Sequence, residues 1–144
     1  MSRWLGILLV VLGLLADARA AEPEMHLSPK KVRDEVKTVV AAQLAALQSS
    51  DFAGAYEHAA AGIRRQFDVR VFALMIKRGY APLLHQEKTD FGLVHDNGAG
   101  IANVVVTVSD HLNRVTLYRY WLVQEDGWKI SGVTLEQKPP HGDI

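Results

Sequence analysis

The sequence has 144 residues, no cysteine, and sixteen basic residues balanced by sixteen acidic ones. A near-neutral chain has no electrostatic footprint for nucleic acid and no polybasic segment for an anionic membrane, and without cysteine neither a disulfide framework nor a thiolate metal site is available. The length suits one domain of ordinary size, which buries about two-thirds of its unfolded surface in its own core.

Arg3 precedes an unbroken apolar run, Trp4–Ala16, and the small-residue pattern Ala18-Arg19-Ala20 follows. That order of parts is the one expected of a secretory signal. A spanning helix requires about 20 apolar residues, and this run stops at Asp17. The expectation is a signal peptide over residues 1–20, cleaved after Ala20, and a periplasmic or secreted product with no stable membrane insertion. Losing Arg3, Arg19 and Asp17 with it leaves a formal charge of minus one. The clusters Lys30-Lys31-Arg33 and Arg64-Arg65 are interrupted by acids and read as solvated faces.

Residues 21–27, with Pro23, read as a flexible leader, and residues 28–137 as a single α+β domain. Ser28-Pro29 opens the first helix, with serine as N-cap and proline in the first turn. Val32, Val36, Val39, Val40, Gln43, Leu44 and Leu47 then recur at spacings of three and four, an amphipathic stripe laid on a core. Ser49-Ser50-Asp51 ends that helix and offers a cap to a second, with Phe52, Ala55, Tyr56 and Ala59 as its stripe, closing near Gly62. Asp68 caps a third, through Val71, Phe72, Met75 and Ile76, with Gly79 as its stop and Pro82 preventing continuation.

From Thr89 onward Val, Thr, Tyr and Trp dominate, punctuated by turn signals. Asn97-Gly98 predicts a two-residue hairpin between Phe91–Val94 and Ile101–Val108, and Asp126-Gly127 another between Val115–Gln124 and Trp128–Gln137; Asp110-His111-Leu112-Asn113 is a looser turn. The sum is three N-terminal helices packed on a curved four-stranded antiparallel meander. The tail, residues 138–144 with Pro139-Pro140, is expected to be irregular. A two-residue loop at Asp126-Gly127 opposes Glu125 with Trp128, Val123 with Ile130 and Trp121 with Gly132. The other face then pairs Leu122 with Ser131, Tyr120 with Val133, and Tyr118 with Leu135. Apolar groups fall on both faces, so the sheet either wraps its core or has its outer face covered by a second chain.

Helices followed by a meander ending in Asp126-Gly127-Trp128-Lys129-Ile130-Ser131-Gly132-Val133 resemble the cone-shaped nuclear transport factor 2-like (cystatin-like, SnoaL-like) superfamily. Within it the chain resembles an uncharacterised bacterial family of exported proteins known only as a domain of unknown function. Gln43-Leu44 with Ala46, Asp51-Phe52, Ala55-Tyr56, Phe72 with Met75, Tyr80 with Pro82, and Tyr118 complete the match. The resemblance implies a cone whose open end holds a small apolar molecule, and frequent dimers through the sheet. Its superfamily also holds isomerases, dehydratases and cyclases, so fold does not settle function.

The chemistry-bearing residues point away from catalysis. Asp90, Asp110 and Asp126 sit in or beside turns, where aspartate serves the backbone, and His58, His95 and His111 are not embedded in apolar runs. The six histidines are spread singly, with no metal-ligand spacing. Ser131-Gly132 follows a strand pattern and forms no nucleophile elbow, and the glycines at 98 and 100 open no helix to cradle phosphate. Arg119 is unusual as a mid-strand cation. It either holds a carboxylate or phosphate bidentately or extends to the sheet edge or onto an aromatic. Asn103 is a similar polar interruption. Tyr56, Phe72, Tyr80, Tyr118, Tyr120, Trp121 and Trp128 either line a pocket or fill the core.

These observations lead to an exported module that binds a small, partly apolar ligand or pairs with a protein partner, with Tyr56, Tyr80, Asn103, Arg119 and Trp121 as pocket or interface residues. No catalytic residue, metal or cofactor is assigned. The alternatives are a metal-independent isomerase or dehydratase using His95 or Asp90 as base, and a structural homodimer formed through the sheet.

Overall fold

The computed structural model describes residues 24–136. The expected signal sequence over residues 1–20 and its expected cleavage point, the start of the expected leader, and residues 138–144 of the expected tail lie outside the described residues. Among the described residues the fold is α+β, with five helices and a five-stranded antiparallel sheet of order β1-β2-β3-β4-β5. In chain order these are β1 (His26–Leu27), α1 (Lys30–Gln48), α2 (Phe52–Tyr56), α3 (Ala61–Gln66), α4 (Val69–Gly79), α5 (Ala81–Leu84), β2 (Lys88–Asp96), β3 (Ile101–Ser109), β4 (Val115–Glu125) and β5 (Gly127–Leu135).

The long first helix forms as its stripe predicts. Val36, Val40, Gln43, Leu44 and Leu47 are buried along one side of α1, with Val32 and Val39 packed at the margin. Its start differs from the expectation: Pro29 is the N-cap and makes no side-chain capping bond. Ser28 is instead buried, its hydroxyl donating to the Asp96 carboxylate and its N–H donating to the Val94 carbonyl at 3.0 Å. That attachment explains the fifth strand. His26 pairs with Asp96 and Leu27 with His95, so the end of the expected leader is a short strand on the sheet's edge. A two-residue strand carries no periodicity for a sequence pattern to register.

The second expected helix divides in two. Asp51 caps α2, accepting from the Gly54 N–H at 2.9 Å, but α2 stops at Tyr56 and α3 begins only at Ala61, with Gly62 inside it. The break occurs because residues 58–60 leave the helix to meet the sheet: the Ile130 N–H donates to the His58 carbonyl at 2.7 Å and the Ala60 N–H to the Ile130 carbonyl at 2.8 Å. Asp68 caps α4 as expected, accepting from the Val71 N–H at 2.9 Å. Gly79 is the last residue of α4, and Pro82 lies in the first turn of α5, a position where its missing N–H costs nothing.

The helices cover one face of the sheet. Val94, Ala102, Val104, Val106, Val108, Tyr118, Tyr120, Leu122, Trp128 and Ile130 meet the α1 stripe with Phe72, Ile76 and Leu83 in one core. At the β4–β5 turn Gln124 pairs with Trp128, Val123 with Lys129 and Leu122 with Ile130. Glu125 also pairs with Gly127, so Asp126 alone joins the strands, and Gly127 takes φ 91, a conformation open to glycine. The expected pairs Val123–Ile130 and Leu122–Ser131 do not form, and Ile130 points into the core. A β-bulge at Ser131 then inserts one residue. It restores Trp121 opposite Gly132, Tyr120 opposite Val133 and Tyr118 opposite Leu135, as the pattern predicts. The other hairpin also differs from its expected two-residue loop. Four residues, Asn97 to Gly100, join β2 to β3, and the Asn97 side chain accepts from the N–H groups of Ala99 and Ile101.

Candidate functional site

The helix layer does not seal the sheet completely. Between α3, α4 and β5 lies a cavity of about 290 Å³. Ile63 and Phe67 come to it from α3 and the residue after it, Phe72, Met75 and Ile76 from α4, and Ile130, Val133 and Thr134 from β5. The break at residues 58–60, bonded to Ile130, separates α2 from α3 on one side of this space, and β5 carries its bulge at Ser131 on the other. Gln43 and Tyr80 are the other polar groups of the wall.

Both polar groups are held in place. Gln43 is 4 % exposed, and its Nε2 donates to the Ala55 carbonyl at 3.2 Å. The Tyr80 hydroxyl donates to the Val133 carbonyl at 2.8 Å, and its ring leans on Tyr118 at 5.9 Å between centroids. Tyr118 and Tyr120 stand behind it, and burial, then neighbouring tyrosines, pushes both phenols above their ordinary pKa. Among the described residues no carboxylate or imidazole contributes to the wall.

The candidate residues read from the sequence separate into two groups. Tyr80 lines the cavity. Tyr56 supports it from behind: its hydroxyl donates to the Phe67 carbonyl at 2.6 Å, and its ring meets Phe72 edge-on at 5.4 Å. Asn103, Arg119 and Trp121 lie on the opposite, outer face of the sheet. There Arg119 does hold a carboxylate bidentately, but the carboxylate is the chain's own Glu136, at 3.0 and 2.8 Å from Nε and Nη2. Nη1 donates to the Asn103 Oδ1 at 2.6 Å. The pairing lifts the guanidinium pKa and holds the Glu136 carboxyl below its usual range. With Nε and Nη2 on Glu136 and Nη1 on Asn103, Arg119 ties β4 to β3 and to the residue after β5.

His95 and Asp90 are both on β2, three strands from β5 and so roughly 14 Å away at the usual strand spacing. His58 is half-buried beside β5, and burial, followed by the charge of Lys129, lowers its pKa. Among the described residues no group of three or more His, Asp or Glu side chains comes together as a metal site, and no helix is long and apolar enough to cross a membrane.

A second depression, about 600 Å³, lies between α1 and the β4–β5 turn. It is larger but open, and its charged residues already engage each other: Lys31 Nζ meets the Glu35 Oε2 at 2.6 Å. That bond keeps the Glu35 carboxyl low. The Trp128 indole N–H is buried without a hydrogen-bond partner. The apolar cavity is the better candidate, since ligand sites are mostly apolar with few fixed polar groups.

A family model described as Domain of unknown function (DUF4864) matches residues 29–142, most of the chain. The chain belongs to the DUF4864 family. No curated protein and no solved structure matches it. In this DUF4864 domain the cavity's main polar group, Gln43, is one that sequence reasoning placed on the core stripe and did not single out as a site. The available signal was a lone amide at the centre of the otherwise apolar series Val36, Val40, Leu44, Leu47.

Proposed function

We propose that the domain is a non-catalytic module that binds one small, largely apolar molecule in the cavity between α3, α4 and β5. The observation carrying this reading is a wall of aromatic and aliphatic side chains interrupted by a buried, oriented amide. An apolar cavity of about 150 Å³ takes up benzene, so one of about 290 Å³ suits a two-ring compound. A wall without carboxylate or imidazole supports binding over acid–base turnover, because a general base must stand within hydrogen-bond reach of the proton it removes. Helices on one face of an antiparallel meander, with a cavity beside them, support kinship with the nuclear transport factor 2-like superfamily. The signal-like residues 1–20 support export, with the module acting in the periplasm or outside the cell.

The test is a titration with naphthalene, followed by methyl NMR and thermal unfolding. The expected result is shifts at Ile63, Ile76 and Ile130 and a raised Tm, since a ligand that binds only the folded state stabilises it. Met75→Trp, which fills the cavity, should keep the fold and lose both effects. Absence of localised shifts in the wild-type protein would remove the reading.

A second reading is a homodimer through the sheet. Ile101, Val105, Leu117, Trp121 and Val123 are half-buried on the outer face around Arg119. Sedimentation of the wild type and of Trp121→Glu tests it: a dimer that becomes monomeric on substitution supports it, and a monomeric wild type at micromolar concentration excludes it.

A further inference from the structure

We infer that the cavity's ligand is a neutral hydroxyl compound, a phenol or alcohol on an apolar body, whose O–H donates to Gln43 Oε1. The inference rests on the reading of the cavity as a ligand site and adds its chemistry. The Ala55 carbonyl can only accept, so the amide must turn its NH₂ toward it, at 3.2 Å. That orientation commits Oε1 to the other side, and no donor among the described residues reaches it. Gln43 is more than nine-tenths buried and lines the cavity, so Oε1 is an unspent acceptor on a mostly apolar wall. Tyr80 adds to the same polarity. Its proton is directed at the Val133 carbonyl, at 2.8 Å, which leaves the cavity only the oxygen's lone pairs.

Two fixed acceptors select for a donor. An ether or ketone of the same shape brings a third acceptor and no proton to share. A carboxylate brings a charge as well, and among the described residues the wall offers no cation to meet it; burying an unpaired charge is far costlier than burying a hydroxyl that is hydrogen-bonded. Thr134 does not alter this balance, because it is exposed and pairs with Arg119, on the outer-face register of β4.

The experiment compares four probes of one shape against the wild-type protein by calorimetry and methyl NMR: naphthalene, 2-methoxynaphthalene, 2-naphthol and 2-naphthoate. The expected order places 2-naphthol roughly five- to tenfold tighter than naphthalene, as one net hydrogen bond allows, with 2-methoxynaphthalene no tighter than naphthalene and 2-naphthoate unbound. In Gln43→Leu naphthalene should still bind and the advantage of 2-naphthol should vanish. Equal or weaker binding of 2-naphthol beside retained binding of naphthalene would overturn the inference and leave the cavity a ligand site. If neither compound shifts the cavity methyls, the site itself is refuted and the inference with it. The wild-type series decides the matter even if Gln43→Leu does not fold.

Discussion

At the scale of single residues, buried polarity separates strain from function. The Tyr120 hydroxyl is fully buried and has no hydrogen-bond partner, so it carries the cost of desolvation with nothing in return. Replacing it with phenylalanine removes that cost and keeps the ring. Tyr120→Phe is expected to raise stability by about 1 kcal/mol, read from the urea midpoint; a loss instead would show that the hydroxyl has found a partner, such as an ordered water. His58 gives a pH-dependent counterpart. Burial lowers its pKa from the ordinary 6.5, so the unfolded chain binds the proton more readily than the folded one. Its contribution is therefore complete above pH 6.5 and declines as the pH falls below that value, through the lowered folded pKa. His58→Gln should flatten that part of the stability profile between pH 7.5 and 5; an unchanged slope would place the pH dependence elsewhere.

Among the elements, the short helix α2 begins at a single side-chain cap. Asp51 caps it through the Gly54 N–H, and a Cβ at Gly54 would collide with the same carboxylate. Gly54→Ala and Asp51→Ala should therefore each cost about 1 kcal/mol. The double variant should cost little more than either alone, because both remove one cap; additive losses in a denaturant series would show that the cap is not the shared cause. The β4–β5 hairpin shows why element boundaries are easier to read than registers. Asp126-Gly127 marks the turn, but the loop closes one residue tighter than a two-residue loop, and the Ser131 bulge returns the register. A pattern of apolar residues cannot locate two compensating shifts. It records their sum, and hence the correct pairing of Tyr118, Tyr120 and Trp121.

Across the whole molecule, stability should grade from the sheet's centre to its edge. β3 and β4 are paired on both sides and supply many of the fully buried side chains, whereas β1 contributes two residues held to β2 by Ser28 and Asp96. Hydrogen exchange should accordingly be slowest in β3 and β4 and fastest at β1. Ser28→Ala should speed exchange at Leu27 and Ser28→Ala's own position while leaving Val104 and Tyr120 protected; a uniform change would mean that β1 opens only with the whole domain. The class of the fold, the α1 stripe, the caps at Asp51 and Asp68 and the strand-rich second half were legible in the sequence, because each depends on neighbours within a few positions. The candidate site was legible only in part. Tyr80 and the aromatics around it could be named, but Arg119, Asn103 and Trp121 could not be assigned to the far face without the sheet's register. Gln43 could not be told from a satisfied core amide until Ala55 was seen to take its NH₂ group. The sequence by itself determined which residues seek burial and where the chain turns, since hydrophobic period and turn chemistry are local. Tertiary structure alone decided that α2 and α3 part at residues 58–60, that Glu136 occupies Arg119, and that a cavity remains beside β5, since each is a contact between segments distant along the chain.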